Sequence, residues 1–127
     1  MPEKPTYPLP DTVLVETLIP EEFIEELRNA LNRAGILRVG NYDHCLSFHR
    51  TQGYWRPLPG SSPHMGTPGE ICHGSEFRVS FSCASGKARQ AMHIIREIHP
   101  YEEPLLYVLP LLNDFFQERE KNGGITP

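Results

Sequence analysis

The chain has 127 residues, of which 16 are acidic and 12 basic, for a net charge of −4. This length suits one domain built around a single core. The acidic balance, with no Lys/Arg run, lacks the electrostatic footprint of a phosphate-backbone binder and argues against nucleic acid as a direct partner. Cys45, Cys72 and Cys83 are odd in number and widely spaced, with no CxxC pair. That pattern fits free thiols in a reducing compartment and so a cytoplasmic protein. The longest apolar run, residues 105–112, is broken by Pro110 and falls far short of the roughly 20 residues needed to span a bilayer, so no membrane segment is expected.

Residues 1–11 hold four prolines and no apolar period, and read as an extended arm ahead of a domain at 12–112. The β-branched and leucine content of residues 12–19 predicts a strand. Pro20 then opens a helix whose first turn carries Glu21 and Glu22, where carboxylates meet the positive end of the helix dipole. Phe23, Ile24, Leu27, Ala30, Leu31 and Ala34 follow at helical spacing, and Gly35 supplies the stop. Residues 45–49 read as a short second strand. The stretch 50–75 holds five glycines and four prolines and reads as a long loop, and loops of that length inside a compact domain are usually functional or disordered. Its Tyr54 and Trp55 favour an ordered excursion that packs on something.

Phe77, Val79, Phe81 and Cys83 alternate with Arg78, Ser80 and Ser82, the period of a half-buried strand. Ser85 is placed to cap a second helix running to about Ile98, with Ala88, Ala91, Met92, Ile95 and Ile98 as its apolar stripe. Pro100 pushes His99 out of the helical region and ends it. Residues 105–109 form the last strand, and 113–127 a tail that adds at most a short helical turn. The order βαββαβ predicts an α+β, ferredoxin-like sandwich, two helices on one face of an antiparallel sheet ordered 4-1-3-2. In that topology the 50–75 loop and the connector His99-Pro100-Tyr101-Glu102-Glu103-Pro104 lie at the same end of the sheet.

The connector concentrates an imidazole, a phenol and two carboxylates, groups able to bind a cation or move a proton. Trp55, Arg56, His99, Tyr101, Glu102 and Glu103 are the candidate ligand-binding residues, with Arg56 as an anion clamp. Neighbouring glutamates in an extended segment point to opposite sides, so one of the pair is expected to face a neighbour and the other solvent. His64 and His73 from the loop, with His99, are the candidate ligands of a divalent metal ion, the only cofactor the residues suggest. A structural role for the same histidines stands beside that reading. No GxSxG elbow, GxxxxGK[ST] loop or GxGxxG turn occurs, so the chain carries no complete catalytic constellation.

Gly40-Asn41-Tyr42-Asp43-His44-Cys45 with Ser47-Phe48, then Arg56-Pro57-Leu58 with Gly60-Ser61 and Pro63, and finally residues 99–104, resemble the central insert domain of the YqfO-type, Nif-three-like dimetal proteins. The resemblance covers residues 35–110. That insert is similar in fold to the trimeric CutA and PII signalling proteins, so the resemblance implies a CutA/PII-like module standing alone. Family members hold two metals in flanking domains, which this sequence lacks, and Gln52-Gly53-Tyr54-Trp55 stands where a Gly-x-Gly-x pattern is more usual. Dimetal hydrolase activity is therefore not carried over. Three functions follow as expectations. The leading one is a homotrimeric binding or regulatory module with a small ligand or metal ion in clefts between subunits. The second is a metal-assisted hydrolase with His99 as ligand and Glu102 or Glu103 as base. The third is a subunit that docks onto a protein partner.

Overall fold

The computed structural model describes residues 9–116. Most of the expected arm, and the tail beyond 116, lie outside these residues. The first strand, β1 (Thr12–Ile19), leads through a 3-10 turn at Glu21–Phe23 into helix α1 (Ile24–Arg33). A long hairpin, β2 (Ser47–Trp55) and β3 (Cys72–Ala84), follows. A second 3-10 turn, Ser85–Lys87, opens helix α2 (Ala88–Ile98), and β4 (Leu106–Pro110) closes the sheet. The strand order is β2-β3-β1-β4 with every neighbouring pair antiparallel, the ferredoxin-like arrangement expected from the element order.

Alternation along the two central strands decides what is buried. Val13, Val15, Thr17 and Ile19 of β1 face the helices together with Val79, Phe81 and Cys83 of β3. Ile24, Leu27 and Leu31 of α1 and Ala91 and Ile95 of α2 close over them. The opposite sheet face carries Leu14, Leu109 and Tyr107, with a Glu16–Arg78 ion pair at 3.0 Å near its centre. Burial pushes the Cys83 thiol above its ordinary range, outweighing the opposing pull of Lys87, as suits an inert core cysteine.

Two details differ from the sequence reading. The expected loop at 50–75 is strand at both ends, for the β2–β3 ladder continues from Arg50↔Phe77 to Trp55↔Cys72 and leaves 56–71 as loop. Thr51, Tyr54 and Trp55 are good strand formers, and Gly53 faces Gly74 across the ladder, so glycine content disguised a regular hairpin. Ser85 makes no side-chain cap on α2; its hydroxyl donates to the Pro10 carbonyl and ties the start of the helix to the segment before β1.

Thr17 is the one fully buried hydroxyl of β1, and it donates to the Leu105 carbonyl at 2.7 Å, fixing the connector's far end to the strand. Thr17→Val keeps the shape and removes the donor. It is expected to cost about 1–2 kcal/mol, read as a lower urea midpoint at an unchanged slope.

Candidate functional site

β1 stops at Ile19, opposite Phe77, while the hairpin runs on for five further pairs, Thr51↔Glu76 to Trp55↔Cys72. The step thus left at the end of the sheet is faced by the connector between α2 and β4. Between them lies a cavity of about 340 Å³, at the small end of the range for ligand sites. Leu18 and Leu105 supply apolar lining, Trp55 and Arg56 come from the hairpin end, and Tyr101, Glu102 and Glu103 from the connector. The backbone N–H of Ser62 donates to Glu102 Oε2 at 2.9 Å, clasping loop to connector. The two segments that the topology placed at one end of the sheet therefore meet.

Gly66, in the loop, has φ +100°, and a Cβ there would stand 2.6 Å from Cys72 Sγ and 3.3 Å from Trp55 Nε1. Only glycine allows the loop to pass this close. The Trp55 indole N–H donates to the Met65 carbonyl at 3.3 Å, and its ring lies over Gly74. The indole is thus held by the loop on one edge and the opposite strand on its face.

His99 proves to be a structural peg. It is 6% exposed, and its Nε2–H donates to the Leu18 carbonyl while Nδ1 accepts the Tyr101 backbone N–H at 3.2 Å. Both ring nitrogens are satisfied in the neutral form. Burial, the largest influence, pulls its pKa below the ordinary value; the Leu18 hydrogen bond and Glu76 oppose this, and His64 reinforces it. His99 does not line the cavity; it props up Tyr101, whose ring centroid is 4.7 Å away.

The metal trio is not assembled. His64 lines the cavity, tilted 5.9 Å from Tyr101 and edge-on to Phe23. His73 sits on β3 opposite Tyr54 and stacks on its ring at 4.8 Å. Among the described residues, no group of three or more His, Cys, Asp or Glu is gathered to hold a metal ion. Of the two connector glutamates, Glu102 faces a neighbour, the Ser62 N–H, and Glu103 is exposed, while both line the cavity. Residues 101–103 form a bend and not an extended strand.

Glu76 was not among the sequence candidates. It lines the cavity, and its carboxylate lies near enough to the Tyr101 phenol to oppose that group's ionisation. Its Oε2 is nevertheless buried with no hydrogen-bond partner among the described residues. Burial, chiefly, and this carboxylate push the Tyr101 pKa up, so the phenol keeps its proton. A signal existed in the sequence: extending the polar face Arg78, Ser80, Ser82 back by one step places Glu76 on the same side.

No protein-family model matches the sequence. The chain is 31% identical over 107 residues to the GTP cyclohydrolase 1 type 2 homolog of Bacillus subtilis, a match covering 84% of this chain and 28% of that protein. Among solved structures, a Bacillus cereus protein related to NIF3 superposes with TM-score 0.69 and 30% identity, over 85% of this chain and 27% of the other. CutA1 from Shewanella sp. SIB1 superposes with TM-score 0.64 and 17% identity over 91% of this chain and 97% of the other, a likeness of fold alone. The chain spans about a quarter of the length of the curated relatives it matches. It is homologous to that quarter of the Nif-three-like proteins, and its fold is CutA-like and ferredoxin-like.

Proposed function

We propose that this chain is a small binding or regulatory module that takes a small ligand in the cavity between the hairpin end and the connector. The observation that carries this reading is the enclosure itself. Two segments about 40 residues apart in sequence, joined by the Ser62–Glu102 hydrogen bond, surround 340 Å³ lined by aromatic, apolar and a few ionisable groups. Trp55, Arg56, Tyr101, Glu102 and Glu103 contact the ligand, and His99 holds Tyr101 in place. In this reading the ligand sits in a cavity lined by one chain, whereas the expectation from the sequence was a cleft between subunits.

The module works as a homo-oligomer, which we take to be a trimer in the cytoplasm. Among the described residues the helices cover one sheet face only, the other exposes Leu109 and Tyr107 at 40% and 50%, and β2 and β4 each leave one edge unpaired. The three cysteines are free, as a reducing compartment requires. No helix among the described residues is long and apolar enough to cross a membrane. A metal-assisted hydrolase fits less well, because both nitrogens of His99 are already engaged.

Light scattering is expected to give a mass near three times 14.5 kDa, and a monomer at micromolar concentration overturns the assembly. A fragment screen followed by NMR is expected to yield binders that shift the Trp55 indole and the Tyr101 amide resonances together. Binders that shift neither overturn the cavity as the ligand site.

A further inference from the structure

The cavity's charge is uneven. Three carboxylates, Glu76, Glu102 and Glu103, line it against one guanidinium, Arg56. Glu102 is partly satisfied by the Ser62 N–H, and among the described residues neither Glu76 nor Arg56 belongs to an ion pair. Glu76 has one carboxylate oxygen buried without a donor, an arrangement that costs folding free energy unless something supplies a proton or a positive charge. The remaining walls include Trp55 and Tyr101, and aromatic surfaces favour cations over anions.

We propose that the cavity selects a small organic cation bearing N–H groups, an amidinium, guanidinium or primary ammonium, whose donors complete the hydrogen bonding of Glu76 while its flat or apolar body lies against the aromatic side chains of Trp55 and Tyr101. The inference rests on the cavity being a ligand site and adds the chemical class. A quaternary ammonium satisfies the rings but not Glu76, and a neutral amide satisfies Glu76 only in part. Arg56, exposed at the mouth, is left for an anionic substituent on the same ligand.

Trp55 is the only tryptophan of the chain, so its emission reports on this cavity without interference from another indole. The test titrates the full chain with three probes of nearly equal shape, benzamidine, benzamide and benzoate, at low and high salt. The Trp55 indole N–H resonance serves as a second readout. Benzamidine is expected to bind at least tenfold more tightly than benzamide, benzoate to be weaker still, and the gap between benzamidine and benzamide to narrow with salt. Glu76→Gln is expected to remove that gap and, by discharging a buried unpaired carboxylate, to raise the melting temperature of the ligand-free protein. Benzoate binding best, or all three probes binding equally, overturns the cation preference while leaving the cavity a ligand site. Absence of any response to all three overturns both. A Glu76→Gln protein that is less stable than wild type yet keeps the preference shows that the carboxylate is only structural, which also defeats the inference. The comparison of probes on the wild-type chain stands whether or not the variant folds.

Discussion

Replacing His99 with alanine is expected to cost about 3 kcal/mol of folding stability, because the Leu18 carbonyl and the Tyr101 N–H each lose a buried partner. The effect has a pH signature. The folded-state pKa of His99 lies below its ordinary value of 6.5, so between those two values the unfolded chain binds the extra proton. Stability from this residue is therefore complete above about pH 6.5 and is lost as the pH falls toward the folded-state value. Urea midpoints measured across this range are expected to fall on acidification in the wild type, with a shallower fall in His99→Ala. Parallel profiles in the two proteins contradict the assignment. The same variant is expected to shift the Trp55 resonance in the folded protein, because Tyr101 and the connector lose their prop.

Leu27→Ala is expected to be similarly costly by a different route. Leu27 is fully buried between α1 and the sheet, and truncation of such a residue removes transfer energy and leaves a cavity, together about 3 kcal/mol. Here the urea midpoint drops by the same amount at every pH, since no titrating group is touched. A loss below about 1 kcal/mol means that the core closes around the smaller side chain. Together the two substitutions separate a packing contribution from a hydrogen-bonded peg.

The sequence made the elements with strong period legible. β1 has the bounds that its β-branched run suggested, and α1 and α2 bury Ile24, Leu27, Leu31, Ala91 and Ile95 of the expected stripes, with Ile94 and not Met92 packed on the core. The strand order followed from connectivity alone. The length of the hairpin did not, because glycine and proline content around 50–75 signals loop, whereas the ladder there depends on cross-strand pairing that composition does not encode. At the site, Trp55, Arg56, Tyr101, Glu102 and Glu103 could be named because aromatic and ionisable groups cluster in two irregular segments. A structural role for His99 was one of the two readings, but its partner could not be read, for the Leu18 carbonyl lies 81 residues away. His73 illustrates the same limit: its place opposite Tyr54 is a matter of register, and register carried it away from the other histidines.

The overshoot of the hairpin beyond β1 has a mechanical meaning. Among the described residues its last five pairs have no third strand beside them, and a two-stranded ribbon in water is marginally stable and twists more freely than a full sheet. One jaw of the cavity is therefore compliant, while the other is riveted to β1 by His99 and Thr17. An occupant bridging the two jaws, as proposed above, is expected to stiffen the ribbon and so to damp the fluctuations of the hairpin's end.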